Sequence, residues 1–475
     1  MAHSGTLGGV VFCAAALAAT LGASIVACGA TPRSDFDSVD GVEGGPGKGG
    51  EGGGFQFDSG GADAPPPCRN LQCQQQKCGS GDTTVTGTVF APNGRLPLYN
   101  AIVYVPNGVV APIPKGVTCD QCGAVASGEP VVTALSGADG KFTLRNVPVG
   151  SNIPLVIQLG KWRRQVVIPE VKACQETRIT DPELTRLPKK QSEGNMPHIA
   201  LTSGGCDKLG CMLPKVGIDP SEFGTAADGD AKAVHTYLGG GGGGPSGAQP
   251  SRPFWSNFNA MKAYDLMVLS CECSESPATK DAASYQAMTQ YLGAGGRIFT
   301  TDFMYTWYKF SPDAVAKTIG TIPGGAPTGG NPFTLDTSFP KGQALSDWMN
   351  VSFPGTNGKV QCDVVFNNVS SIDPAKGQTW SRSGPAGNPA GTPNNPRVFT
   401  ANFPAGQPPE KQCGKGVHID AHVNQQGTDA VNASYPSSCG SPLKPAEGLF
   451  AFFFFDLASC IQKEDAPPVP PALPR

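Results

Sequence analysis

The stretch from Tyr264 to Tyr308 constrains the fold most, because it is the one segment that reads as a complete strand, helix, strand unit. Leu266 to Leu269 is a short unbroken apolar run, the pattern of a strand covered on both faces in a parallel sheet. After a polar loop, Tyr285, Met288 and Leu292 recur at i, i+3 and i+7 and give a helix one apolar face. Gly293, Gly295 and Gly296 then stop the helix, and Ile298 and Phe299 open the next strand. A parallel crossover sets the loops at the carboxyl ends of both strands side by side, where open α/β sheets bind their ligands. Those loops carry Ser270, Cys271, Glu272 and Cys273 on one side and Thr301, Asp302 and Phe303 on the other.

Strand and helix patterns continue through the C-terminal half. HIALTSG from His198 predicts a strand, and DKLGCMLPKVGI a short helix broken at Pro214. Leu345, Trp348 and Met349 place another helix within residues 331–351, after a turn at Pro340-Lys341-Gly342. Strands are expected near Val364-Val365-Phe366, Arg397-Val398-Phe399 and Gly416 to Val423. AEGLFAFFFFDLASCI is apolar almost all round, so it predicts a buried helix. Residues 195–463 are therefore read as an α/β domain, and the proline-rich residues 464–475 as a disordered tail.

The segment from Thr83 to about Val171 has a period of two instead. TTVTGTVFAP alternates valines and threonines, Asn93-Gly94 and Asp139-Gly140 mark turns, and AIVYV, KFTL, IPLVIQL and QVVIP are further short strands. This spacing fits a small all-β sandwich over residues 68–180. VTGTVFAPNGRLPLYNAIVYV followed by SGADGKFTLRNVPVG resembles the carboxypeptidase regulatory-like (transthyretin-like) domain, which implies an accessory sandwich, some members binding carbohydrate or protein, without catalytic residues. Lys161, Trp162, Arg163 and Arg164 form an aromatic-basic cluster with two readings: a binding edge, or a strand end with a packed Trp and solvated arginines.

The chain's 475 residues allow two or three domains. Its 35 basic and 38 acidic side chains give a net charge of -3, which leaves no basic footprint for nucleic acid. Residues 28–67, almost free of apolar side chains, read as a Gly/Pro-rich tether. The glycine run at 239–244 satisfies a G-x-G-x-x-G pattern only trivially, since the sequence shows no strand before it and it opens into Pro245.

Sixteen cysteines point to an oxidising compartment. Apart from Cys13 and Cys28, six precede residue 180 and eight follow it, so each domain is expected to close its own disulfides. A zinc ribbon would need a second CxxC besides the one at 119–122. Residues 1–27 form an apolar leader ending Ile25-Val26-Ala27-Cys28, which resembles the lipobox of bacterial lipoproteins although its n-region offers only His3 as a basic group. That resemblance implies cleavage before Cys28, a lipid anchor on it, and, with Gly29 in place of an Asp, an outer-membrane or cell-surface location.

From His198 onward the layout, with YDLMVLSCE and then a helix ending YLGAGGRIFTTD, resembles the flavodoxin-like fold of class I glutamine amidotransferase-like and ThuA-like domains. The resemblance implies a nucleophile elbow after the strand ending Thr301-Asp302, but no Cys stands there, and no G-x-C-x-G or G-x-S-x-G occurs anywhere. Cys271, with Cys273 two residues on, is expected in a disulfide. The remaining chemical signal is Gly416-Val417-His418-Ile419-Asp420-Ala421-His422-Val423, where period-two alternation sets His418, Asp420 and His422 on one face. Two imidazoles and a carboxylate suit one zinc-like divalent ion, with Asp302 or Glu272 as the further ligand.

The sequence thus predicts a multidomain chain, an all-β sandwich followed by an α/β flavodoxin-like parallel sheet. Its leading functional reading is a lipid-anchored envelope protein that binds protein or polysaccharide, without catalysis or cofactor. The alternative is a metal-assisted hydrolase or carbohydrate-processing domain using His418, Asp420, His422 and Asp302.

Overall fold

A computed structural model describes residues 67–474 except 208, 385, 387–393, 424–438 and 440. Residues 66–475 form one compact unit. The leader, Cys28 and nearly all of the tether lie outside the described residues. Among the described residues, no helix is long and apolar enough to cross a membrane.

The first part is built of β1 (Thr84–Thr88), β2 (Ile102–Pro106), β3 (Pro130–Leu135), β4 (Lys141–Arg145), β5 (Gly150–Leu159), β6 (Trp162–Val171) and β7 (Glu176–Arg178). They form a three-stranded sheet, β4-β1-β7, and a four-stranded sheet, β3-β2-β5-β6. The alternation explains the layering: Val85 of β1, Leu144 of β4, Val103 of β2 and Leu155 of β5 are all buried in one cluster between the sheets. The sandwich is therefore where the period-two pattern put it.

The second part contains β8 (Ile199–Thr202), β9 (Phe223–Gly224), β10 (Val234–Leu238), β11 (Gln249–Pro250), β12 (Leu266–Leu269) and β13 (Arg297–Thr301). It continues with β14 (Gly320–Thr321), β15 (Phe333–Leu335), β16 (Lys359–Val360), β17 (Val364–Val365), β18 (Ser371–Ile372), β19 (Gln378–Ser383), β20 (Asn395–Phe403), β21 (Gly414–Ile419) and β22 (Ala421–His422). Eleven of these strands make one mixed sheet. Its order is β11-β10-β8-β12-β13-β21-β20-β19-β15-β16, with β9 also on β10. From β11 to β21 the neighbours run parallel, and from β20 to β16 antiparallel.

Three longer helices cover this sheet: α1 (Ala282–Gly293), α2 (Pro340–Ser352) and α3 (Pro445–Ala458). The Asp281 side chain caps α1 by accepting from Ser284 N at 3.0 Å, and Pro340 and Pro445 start the other two, where a missing N–H costs nothing. Alternate residues of β12 face opposite cores. Leu266 and Val268 pack in the cluster holding Phe450 and Phe453 of α3, while Met267 and Leu269 pack with Met288 and Tyr291 of α1. This is why the run had to be apolar throughout. Every residue of α3 from Ala446 to Ala458 is buried, as its sequence predicts.

The sandwich and the sheet share one core. Trp162 of β6 sits edge-on to Phe454 at 5.6 Å, Tyr99 stacks on Phe452 at 6.0 Å, and Trp348 Nε1 donates to Pro97 O at 2.8 Å. The cysteines differ from expectation accordingly. Cys68–Cys73, Cys78–Cys174, Cys206–Cys273 and Cys211–Cys439 stay within their own halves, but Cys119–Cys413 and Cys122–Cys460 join the two. Both members of the CxxC are thus in disulfides rather than on zinc. The tail also departs from the disorder expected of its composition: Ala472 N donates to Gly123 O at 3.3 Å and Pro471 is buried.

Candidate functional site

The polar residues singled out in the sequence meet at the carboxyl ends of the parallel strands, in a buried cluster. Asp302 follows β13 directly and adopts a left-handed backbone (φ 42°), which Asp tolerates better than most residues. Its Oδ2 accepts from the Cys271 thiol at 3.2 Å and from His422 Nε2 at 3.1 Å. Its Oδ1 accepts from Asn368 Nδ2 at 2.9 Å. The same amide donates to Asp420 Oδ1 at 2.7 Å, and Asn368 N donates to Asp420 Oδ2 at 2.7 Å.

The strand read as continuous from Gly416 to Val423 breaks at Asp420: β21 pairs with β13 and β22 with β17. The break splits the His-x-Asp-x-His pattern. His422 reaches Asp302, whereas His418 Nε2 lies 4.0 Å from Asp420 Oδ1. Arg397 Nη1 stands 3.8 Å from Asp420 Oδ2. Asn368 therefore links the His422–Asp302 pair to Asp420, while His418 Nε2 stays without a hydrogen-bond partner; all four predicted ligands are buried. Glu272 does not join them. Its carboxylate is held by the buried Lys280 ammonium, by Thr279 Oγ1 at 3.0 Å and by Gly240 N at 2.5 Å.

Cys271, expected in a disulfide, is a buried free thiol, and Cys273 pairs with Cys206 instead. Burial, reinforced by the Asp302 carboxylate it faces, pushes the Cys271 thiol well above its ordinary range. For His422, burial alone would lower the pKa. The Asp302 hydrogen bond and the nearby Asp207 charge more than reverse this, so the imidazole is raised. His418 goes the other way, pushed down to about 3 by burial. Burial raises Asp420 to about 7 and also raises Asp207. Asp207 Oδ2 accepts from Thr301 Oγ1 at 2.6 Å and its Oδ1 from Val423 N at 3.1 Å.

Sequence reasoning missed Asn368 and Asp207. Asp207 carried a weak signal, following Cys206 just after the first strand; Asn368 lies in the loop FNNVS and carried none.

The crevice between the loops after β8 and β12 is filled. The Cys206–Cys273 disulfide spans it, and the glycine run lies over it. A Cβ on Gly204 would sit 2.0 Å from Cys271 O, and one on Gly239 2.1 Å from Ser203 O, so only glycine permits this closeness. The run does follow a strand, β10, contrary to the sequence reading, but it packs on protein rather than around a phosphate-sized space.

The aromatic-basic cluster of β6 is a packed strand end. Trp162 is buried, Arg163 Nη2 donates to Ala111 O at 2.7 Å and to Asn195 Oδ1 at 3.1 Å, and Arg164 Nη1 donates to Glu183 O at 2.6 Å. Beside it opens a cleft of about 360 Å³ between the loop 111–127 and the segment that follows α3. Val125 and Val469 line it while remaining about half exposed, at 53% and 47%.

No protein-family profile matches the chain, and no curated protein does. Among solved structures, matches include two interface mutants of a type II cohesin–X-dockerin complex from Acetivibrio cellulolyticus. They are 12% and 11% identical, each covering 32% of this chain and 88% of that chain, with TM-scores of 0.15 and 0.16. Likeness at that level carries no argument.

Proposed function

We propose that this is an exported, lipid-anchored envelope protein that binds a protein partner and does not catalyse. The observation that carries the reading is the order of the buried cluster: Asp302 stands between the Cys271 thiol and the His422 imidazole. A nucleophilic thiol needs the base as its own neighbour, so that its proton has somewhere to go; here the neighbour is a carboxylate that keeps the proton on sulfur. Metal-assisted hydrolysis would need His418, Asp420, His422 and Asp302 to face a water-open cavity, and all four are buried.

A flavodoxin-like layout is supported by the sequence order of the parallel strands of four or more residues, in which the second, first, third, fourth and fifth (β10, β8, β12, β13, β21) lie side by side. In such sheets ligands enter between the first and third strands, and here that entrance is the one filled by the disulfide and the glycine run. An open cleft with exposed apolar side chains lies instead by Val125 and Val469, which suits a protein partner. Six disulfides favour an extracytoplasmic compartment, and the Ile25–Cys28 motif favours an anchor at Cys28.

The test is a photo-crosslinking residue placed at Val125 or Val469 in the full chain in cells, with exposed Val351 as the control position. The expected result is one discrete adduct from the two cleft positions and none from Val351. No adduct from the cleft, or equal adducts from all three, would overturn it.

A further inference from the structure

We propose that Cys271, Asp302 and His422 supply three ligands to one buried zinc-like divalent cation. The proposal concerns the same buried cluster as the non-catalytic reading above, with the cation taking the place of the Cys271 proton. One donor atom from each residue lies within 4.8 Å of the other two. Thiolate, carboxylate and imidazole together favour a borderline transition metal over magnesium or calcium. Tetrahedral zinc sets such donors about 3.3–3.6 Å apart, given bonds of about 2.3 Å to sulfur and about 2.0–2.1 Å to nitrogen and oxygen. The present separations, 3.2 Å for Cys271 Sγ to Asp302 Oδ2 and 3.1 Å for His422 Nε2 to the same oxygen, need to open by only a few tenths of an ångström.

The groups that orient metal ligands are in place. Asn368 Nδ2 fixes the second oxygen of Asp302 at 2.9 Å, and Cys273 N donates to Cys271 Sγ at 3.3 Å, a contact that favours the thiolate. The three ligands come from the ends of β12, β13 and β22, so a cation would tie together three segments far apart in sequence. Charge points the same way: Asp207, Asp302 and Asp420 are buried together, with Arg397 as the nearby fixed cation.

An independent observation is an imidazole nitrogen with no partner. Thr300 Oγ1 lies 2.7 Å from Val417 O, which also accepts from Tyr308 OH at 3.2 Å, and 3.1 Å from His418 Nδ1, so one ring nitrogen of His418 is engaged. His418 Nε2 is fully buried and without a hydrogen-bond partner, 4.0 Å from Asp420 Oδ1. His422 Nδ1 is likewise buried without a partner. Buried ring nitrogens left without partners are uncommon in a core held by hydrogen bonds alone. On binding, the S–H bond is lost, a sulfur–metal bond forms, and the proton leaves to solvent.

The test uses the full chain produced in minimal medium with cobalt in place of zinc. Cobalt content is measured after dialysis against a chelator, together with the near-ultraviolet thiolate-to-cobalt charge-transfer absorption. Expected is about one cobalt per chain with that absorption, retained in Cys362→Ser, which removes the other free thiol among the described residues. Cys271→Ser should abolish the absorption, and His422→Ala should weaken retention by at least about tenfold. The proposal is overturned if wild type retains no cobalt, or if the absorption survives in Cys271→Ser or vanishes in Cys362→Ser. Should Cys271→Ser fail to fold, wild type and Cys362→Ser alone decide the matter.

Discussion

Asp456→Asn perturbs a buried charge cluster that joins α2 and α3 to strand β21. Lys341 at the start of α2 lies 2.7 Å from Asp456 Oδ1 near the end of α3, and 3.3 Å from Glu464 Oε2. Lys415 of β21 bonds Asp456 Oδ2 and lies 2.7 Å from Glu464 Oε1. Two ammonium groups and two carboxylates therefore balance in a square, with all four residues buried. Asparagine keeps the shape but leaves two cations facing one carboxylate. Breaking a buried pair from one side costs about 3–5 kcal/mol. For a cooperative unit of about 400 residues, with an unfolding entropy of about 2 cal/mol/K per residue, that is a fall of about 4–6 °C in Tm.

The pH dependence has a definite sign. Burial alone would raise the Asp456 carboxyl, and Lys341 and Lys415 more than reverse this, holding it below its ordinary 3.8. A carboxyl depressed in the folded state contributes stability that is present above its unfolded pKa and is lost as pH falls through the lower native one. Wild type should therefore lose its advantage over Asp456→Asn progressively below about pH 4. Calorimetry with the disulfides intact, at pH 7 and at steps down to pH 2, measures both. Removing one charge of each sign, as in Lys341→Met with Asp456→Leu, should cost less than the single change. A single variant melting within about 1 °C of wild type at pH 7 would show that these charges are solvated and would refute the reasoning.

Gly160→Ala should destabilise by at least about 2 kcal/mol, seen as a lower urea midpoint. The position has φ 53°, and a Cβ there would lie 1.8 Å from Ala458 O, so the β5–β6 turn would have to move off the end of α3. Removing one inter-half bridge, as Cys122→Ser with Cys460→Ser, should cost about 2–4 kcal/mol in the same assay. The loop it closes with Cys119–Cys413 intact is only about 50 residues rather than the 338-residue separation of its own ends. A change under about 0.5 kcal/mol for either variant would argue that the sandwich and the sheet are not held as one body.

Periodicity made much of the fold legible. The unbroken apolar runs of β12 and α3 had to be covered on every side, and the valines of β1 had to face one sheet surface. What periodicity does not carry is contact between distant segments. Nothing in the spacing of Cys119 and Cys122 tells them apart from cysteines that pair locally, because pairing depends on where Cys413 and Cys460 arrive in space. For the same reason Cys271 and Cys273 were indistinguishable, although they point in different directions, one toward Asp302 and one across the crevice to Cys206. The polar residues of the rim were legible as types, but not their partners. Asn368, an unremarked loop amide, decides how Asp302 and Asp420 are connected, and the break at Asp420 decides which histidine reaches Asp302.

The most direct measurement is the alkylation of Cys271 by iodoacetamide at pH 8, followed by peptide mapping, in the native chain and in guanidinium. A buried sulfur whose proton is held by Asp302, or replaced by the cation proposed above, should stay unmodified in the native chain, as should Cys362, and both should react fully once unfolded. Native modification of Cys271 at or above the rate of free cysteine would mean a thiolate is present at the rim, and the non-catalytic reading would fall.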